Sequence, residues 1–248
     1  MNLHLSDKAV LITGASGGIG RACAVAFAAE GAKLALSDID ENGLESLMRE
    51  LAPSTEVVPI IANVTLPEDA LRAVEQTTGR YGGVDVLVNC AGVLDGTSFD
   101  LVSVDEWRSV QDVNLTGTFL MCQAALRAMV AQGSGRIVNV ASVSGQTGGK
   151  VVGASYVASK AGVIALTKHL ARHGSGHGIG VNCVSPGYVD TPMTSDWGAE
   201  VDQEVTRAIP IGRAARADEI ASVVTFLGSV AASYMQGANV NVNGGVYM

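Results

Sequence analysis

The chain is poor in aromatic residues and in charge. Phe, Trp and Tyr make up 4% of its 248 residues and charged residues 16%, so a core must be built from aliphatic side chains. Basic residues are outnumbered by acidic ones, 16 to 24, for a formal net charge of −8. That balance excludes a general nucleic-acid binder, which needs a basic field. No apolar run reaches membrane-spanning length. The start, Met1-Asn2-Leu3-His4-Leu5-Ser6-Asp7-Lys8, lacks the basic and then apolar segments of a secretory signal. A soluble, cytoplasmic protein without a membrane partner is expected. Cys23, Cys90, Cys122 and Cys183 show no zinc-ligand spacing and each sits in an apolar stretch, which reads as reduced core thiols. His169, His173 and His177 follow an i, i+4, i+8 pattern, but Gly174-Ser175-Gly176 should end the helix before His177, so no metal site is expected.

What the chain does have is alternation. Short β-rich runs at Lys8–Thr13, Lys33–Ser37, Glu56–Ile61, Val84–Asn89, Gly135–Ala141, Gly178–Val184 and Ala238–Val242 are separated by helical segments. Those segments are Ile19–Glu30, Glu41–Leu51, Pro67–Tyr81, Val104–Ala131, Ser155–His173 and Ala217–Gly228. The pattern predicts an α/β fold, with one parallel sheet and helices on both faces. Right-handed crossovers make it a doubly wound, Rossmann-type sheet of seven strands in a single domain, with its ligand outside the carboxyl ends of the strands.

The first strand runs into Gly14-Ala15-Ser16-Gly17-Gly18-Ile19-Gly20, and a helix follows. Glycines at 14, 18 and 20 permit a tight turn and close backbone approach to a pyrophosphate, and the helix N-terminus offers amide donors. Asp38 follows the second strand, 18 residues after Gly20, where a carboxylate can accept from ribose hydroxyls. It would repel a 2′-phosphate, and neither Gly17 nor Ile39 is a cation that could receive one, so the charge logic favours NAD(H). A helix N-cap for the segment from Glu41 is the competing role for Asp38.

Tyr156 and Lys160 lie four residues apart, on one face of a helix. An ammonium about 4 Å from a phenol would stabilise the phenolate by ~4 kcal/mol at an effective dielectric of ~20, or ~3 pKa units. A tyrosine so tuned can act as general acid or base. The competing reading of the pair alone is a buried tyrosine beside a surface lysine.

Taken together, Thr13-Gly14-x3-Gly18-x-Gly20, Asn89-Cys90-Ala91-Gly92, Asn114, Ser142, Tyr156-x3-Lys160 and Pro186-Gly187 resemble the short-chain dehydrogenase/reductase family, in its compact single-domain branch. The resemblance runs from about Lys8 to Gly245. It implies Tyr156 as general acid/base, Lys160 as its tuner and ribose ligand, Ser142 as hydrogen-bond partner of the substrate oxygen, and Asn114 as holder of a water that links Lys160 to solvent. It implies NAD(H) contacts along Gly14 and Ser16–Gly20, at Asp38 and Ile39, at Asn63 and Val64, at Asn89, Ala91 and Gly92, and at Tyr156 and Lys160. Pro186, Gly187, Val189 and Thr191 should meet the nicotinamide amide. The substrate pocket should draw on Ser142, Ser144, Val152, Tyr156, Tyr188, Met193 and Trp197, with residues 191–209 as a lid.

Three positions depart from the family pattern: Asn63 and Asn243 stand where Asp is common, and Cys90 replaces Asn or Ala. The Asn63 carbonyl should still accept from the adenine amine. Asp95 is a candidate for binding a substrate hydroxyl, with a solvated loop carboxylate as the competing reading. Arg127 and Arg136 are the nearest candidates for docking a carrier protein. A homotetramer is implied, with Ala124, Ala125, Ala128, Ala165 and Ala171 on outer helix faces that permit close packing. The expected activity is NAD(H)-dependent interconversion of a small-molecule secondary alcohol and a ketone. The alternatives are an NADPH-dependent enzyme like 3-oxoacyl-(acyl-carrier-protein) reductase and a dinucleotide-sensing regulator.

Overall fold

A computed structural model of the chain describes residues 2–248; the side chains at 196, 197, 199, 200 and 202 lie outside the described set, and with them the expected pocket residue Trp197. The element order is β1 (Ala9–Thr13), α1 (Gly18–Ala29), β2 (Lys33–Asp38), α2 (Glu41–Leu51), β3 (Val57–Ile61), α3 (Pro67–Tyr81) and β4 (Val86–Asn89). Next come α4 (Val104–Gln111), α5 (Gly117–Gln132), β5 (Gly135–Val140), α6 (Ser144–Thr147), α7 (Ala154–Gly174) and β6 (Ile179–Pro186). The chain closes with β7 (Val189–Asp190), α8 (Gly198–Arg207), β8 (Ala215–Arg216), α9 (Ala217–Leu227) and β9 (Asn239–Val242).

Seven strands form one parallel sheet in the order β3-β2-β1-β4-β5-β6-β9, and β7 and β8 make a separate two-residue ladder. The run Ala-Val-Leu-Ile-Thr of β1 is buried throughout, as a strand covered on both faces must be. Val10 and Ile12 point to a core shared with α1, α2 and α9; Leu11 points to the opposite core, shared with α3, α5 and α7. Pro59, which cannot donate to a ladder, sits in β3 at the sheet edge. The strand order reverses between β1 and β4, so a crevice opens beyond Thr13 and Asn89.

The segment predicted as one helix from Val104 to Ala131 is divided. Between α4 and α5 the residues Asp112–Thr116 form a π-helical turn. Such a turn inserts one residue and rotates the helix beyond it, and here it carries Asn114 into the interior. The expected outer alanine faces are also corrected: Ala124, Ala125 and Ala171 are buried in the core, and Ala128 packs against it. Only Ala165 of the five is exposed. No helix among the described residues is long and apolar enough to cross a membrane.

Candidate active site

A cleft of about 690 Å³ opens at the carboxyl ends of the strands and runs from the glycine loop to α8. At one end, Gly14 has a φ of +64°, and a Cβ there would lie 2.7 Å from the Ala91 backbone across the switch point. A Cβ on Gly20 would meet the Gly14 carbonyl oxygen at 2.0 Å, so the turn closes only on glycine. Gly17 has nothing within 4 Å of a Cβ. It is the N-cap of α1 and supplies no side-chain cap, whereas Asp40 caps α2 and Ser103 caps α4. The first amides of α1 therefore face the cleft without an internal anion, which suits a pyrophosphate.

Asp40, not Asp38, is the N-cap of α2; its side chain accepts from Gly43 N. Asp38 is held instead by Ser16, whose amide and hydroxyl donate to Oδ2 at 2.9 and 2.7 Å, while Asp40 N donates to Oδ1 at 3.1 Å. The carboxylate is thereby fixed at the rim of the cleft beside Ile39. The only Lys or Arg side chains among the described lining residues are Lys150 and Lys160. Lys160 belongs to the far end, beyond β5, and Lys150 follows α6 at that same end.

Two expected dinucleotide contacts are revised. Asn89 does not line the cleft: its Nδ2 donates to Asn139 Oδ1 at 2.9 Å and to Cys122 Sγ at 3.2 Å inside the sheet, and Asn139 passes the chain on to Thr167 of α7. Its role is to tie β4 to β5. Asn63 does line the cleft, but its Oδ1 accepts from Thr65 N and Oγ1 at 3.0 and 2.9 Å. With both lone pairs engaged, accepting from an adenine amine would require that turn to open. Ser16–Gly20, Val64, Ala91, Gly92, Pro186, Gly187, Val189 and Thr191 line the cleft as expected.

At the other end β5 delivers Ser142, and α7 delivers Tyr156 and Lys160. Ser142 Oγ accepts from Ser144 N at 3.1 Å. Lys160 Nζ donates to Val140 O at 2.9 Å and lies 5.7 Å from the centre of the Tyr156 ring. Burial pushes the Tyr156 phenol above its ordinary value, and the Ser142 hydroxyl beside it pulls it back. The expected tuning of Tyr156 by Lys160 is not met within the protein alone: burial sets the direction of the shift, and the opposing pull comes from Ser142. Burial also lowers Lys160, from 10.5 to about 8, against a smaller opposing pull from Cys90.

That depression sets a stability prediction. Below about pH 8 the buried ammonium costs stability, on the order of 3 kcal/mol, and the cost fades as pH rises from about 8 toward 10.5. Lys160→Met should therefore melt several degrees above the wild type at pH 7, and the gap should narrow by pH 10 in thermal melts.

Asn114 is fully buried behind the cleft. Its Oδ1 accepts from Val93 N at 2.8 Å, and its Nδ2 donates to Val93 O and Ser159 Oγ at 2.9 and 3.1 Å. It clamps the loop after β4 to the helix that carries Tyr156. Gly92 keeps this region tight, since a Cβ there would lie 3.3 Å from Asn114 Oδ1 and 3.4 Å from Lys160 Nζ. Asp95 is no ligand for a substrate hydroxyl: it is buried, and its Oδ2 accepts from Tyr156 N at 3.0 Å.

Ser144, Val152, Tyr188 and Met193 line the substrate end as expected. The segment read as a lid forms a 3₁₀ turn at Pro192–Trp197 and then α8, and Val205, Ala208 and Ile209 face the cleft. Val246, which the sequence did not point to, joins them. The cysteines are all free. The Cys90 thiol beside Cys23, with burial, raises Cys23 well above its ordinary value, and burial pushes Cys122 up to about 12, as packed thiols require. No metal-binding cluster occurs among the described residues. Of the two arginines read as carrier-docking candidates, Arg136 lies near the start of β5, at the end of the sheet away from the cleft, and donates to the Gly135 and Gly178 carbonyls, while Arg127 is exposed on α5.

A glycine-loop crevice at the switch point of a parallel sheet, with a serine, tyrosine and lysine at its other end, defines a dinucleotide-dependent oxidoreductase. Residues 14–247 match the family model described as enoyl-(acyl carrier protein) reductase. The chain is 39% identical over 246 residues to the 3-oxoacyl-(acyl-carrier-protein) reductase of Vibrio cholerae, covering 99% of this chain and 100% of that one. It is 38% identical over 256 residues to the (3R)-3-hydroxyacyl-CoA dehydrogenase of Mus musculus, covering 99% and 98%. Among solved structures, a short-chain type dehydrogenase/reductase from Mycobacterium marinum superposes with a TM-score of 0.94 at 38% identity, covering 99% of this chain and 97% of that one. The chain belongs to the short-chain dehydrogenase/reductase family, as an oxidoreductase of CH–OH groups that uses a nicotinamide dinucleotide.

Proposed function

We propose that the protein interconverts a 3-oxoacyl and a 3-hydroxyacyl thioester with NAD(H). The acyl reading is supported by the names of its full-length relatives, one a 3-oxoacyl reductase and another a 3-hydroxyacyl-CoA dehydrogenase. It moves the expected substrate from an unspecified alcohol to a particular secondary alcohol–ketone pair. The apolar wall of Val152, Met193, Val205, Ile209 and Val246 suits an acyl chain better than a sugar.

A dinucleotide bound along the glycine loop would supply or take up the hydride at the substrate carbon. This chain's residues handle the proton. In reduction the Tyr156 hydroxyl gives its proton to the carbonyl oxygen, and the Ser142 hydroxyl donates to the same oxygen as charge develops on it. In oxidation the phenolate takes the alcohol proton. The Lys160 ammonium, anchored on Val140 O, would favour the phenolate, and its remaining donors would hold the ribose hydroxyls of a bound dinucleotide.

The observation that carries the cofactor preference is Asp38, preorganised by three hydrogen bonds with no cation nearby in the described lining. With acetoacetyl-CoA as probe substrate, kcat/KM should be higher for NADH than for NADPH. Asp38→Ala should cut that preference by about tenfold or more, since one lost hydrogen bond to a charged group is worth ~1.5–3 kcal/mol. A wild type that prefers NADPH, or a preference indifferent to Asp38, would refute this assignment. Homotetrameric assembly is also proposed, through faces that include the exposed Trp107 and Phe119; sedimentation velocity tests it.

A further inference from the structure

We propose that Asp95 is a positioning residue of the proton-transfer site: its carboxylate, from the loop after β4, caps the helix that carries Tyr156 and Lys160, and its charge restrains ionisation of the Tyr156 hydroxyl. The inference rests on the proposed role of Tyr156 as the proton-transfer group.

Helix α7 begins without a cap of its own. Its N-cap is Gly153, which has no side chain to offer. The amide of Tyr156, at the third helical position, is the donor that an N-cap side chain ordinarily satisfies. Asp95 does this from 61 residues away in sequence, with Oδ2 3.0 Å from Tyr156 N. The Asp95 carbonyl also accepts from Gly153 N at 2.8 Å, so the loop grips the helix start twice. Asp95 is 7% exposed, and its second oxygen, Oδ1, is buried with no hydrogen-bond partner. A buried, half-satisfied carboxylate is costly to keep, which argues for a task beyond closing one hydrogen bond.

The glycine at 153 is explained by the same carboxylate. A Cβ there would lie 1.3 Å from Asp95 Oδ1, 2.5 Å from its Cγ and 3.1 Å from its Oδ2. All three nearest atoms belong to Asp95, so an ordinary N-cap residue at 153 and a carboxylate at 95 exclude each other. The chain carries the cap on the loop instead, and that loop is the one clamped by Asn114 through Val93.

A negative charge at the start of α7 opposes formation of a second negative charge on Tyr156 and offsets the positive end of the helix. Among the described residues, Lys160 faces the Tyr156 ring from its own helix, and Cys90, Lys150 and Glu204 are ionisable groups of the same cleft lining. Glu106 of α4, whose helix packs against α7, is bonded to Thr97 Oγ1. Asp38 ends β2, three strands or about 14 Å from the end of β5.

The test compares pH profiles of alcohol oxidation, which needs the phenolate, in four variants beside the wild type. Asp95→Asn keeps an acceptor but removes the charge; the acidic limb of kcat should move down by about half a unit or more. Asp95→Ala also removes the cap and should lower kcat by about tenfold, with the KM for the dinucleotide within about twofold. Asp95→Ala with Gly153→Ser places a cap on the helix itself, in the space the carboxylate leaves. It should recover kcat while keeping the shifted limb. Tyr156→Phe is the control for the underlying reading. If Tyr156→Phe is inactive but Asp95→Asn leaves the limb unmoved and the double variant rescues nothing, the role of Asp95 is refuted while the reading of Tyr156 stands. If Tyr156→Phe keeps turnover, the reading of Tyr156 itself fails.

Discussion

Tyr156→Phe lowers kcat by about 10³-fold, within the range that a positioned general acid or base contributes, while dinucleotide affinity stays within about twofold. The ring remains partly buried and its packing is kept; only the hydroxyl is lost. Ser142, still held by Ser144 N, can polarise the substrate oxygen but has no means of supplying a proton near neutral pH. The variant should therefore melt with the wild type, within a degree or two, and bind NADH with unchanged fluorescence. A variant that loses both turnover and dinucleotide binding would show that the phenol serves the fold of the cleft instead of the chemistry.

Gly20→Ala is expected to weaken dinucleotide binding by about 10²-fold or more and to lower the melting temperature. Its Cβ would stand 2.0 Å from the Gly14 carbonyl oxygen and 2.8 Å from the Gly14 carbonyl carbon, both backbone atoms of the turn. No rotamer change relieves that overlap, so α1 or the turn must shift, and the amides aimed at the pyrophosphate shift with it. Gly17→Ala provides the contrast. Nothing lies within 4 Å of a Cβ at Gly17, so the protein itself tolerates the methyl group. Any affinity lost in Gly17→Ala with an unchanged melting temperature measures how closely the ligand approaches that backbone. Titration by quenching of NADH fluorescence reads both variants.

Much of the fold and of the site is legible in the amino-acid sequence. Glu41–Leu51 and Pro67–Tyr81 are bounded by sequence alone because a charged cap region and an N-terminal proline mark where those helices begin. The parallel arrangement of the strands follows from the alternation of periodicities. The seven-stranded parallel sheet and the family resemblance stand as expected. What sequence does not show are the contacts between polar residues far apart in the chain. Asn89 looks like a ligand contact because of its motif, yet its partner is Asn139, 50 residues on. Asp95 looks like loop or substrate chemistry, yet it meets the Tyr156 amide. The π-helical turn at Asp112–Thr116 carries no local breaker, so a continuous helix is the natural expectation there. The alanines of α5 are small enough for either a core or an interface, and only packing assigns Ala124 and Ala125 to the core.

If this cleft runs NAD(H)-linked chemistry on a 3-oxoacyl thioester with Tyr156 as its proton donor, one measurement tests all three parts together. It follows loss of nicotinamide absorbance with acetoacetyl-CoA, using NADH and NADPH in turn, in the wild type and in Tyr156→Phe. Turnover is expected in the wild type, faster with NADH, with near-complete loss in the variant. Absence of turnover with 3-oxoacyl thioesters in the wild type, or turnover that survives in Tyr156→Phe, would contradict it.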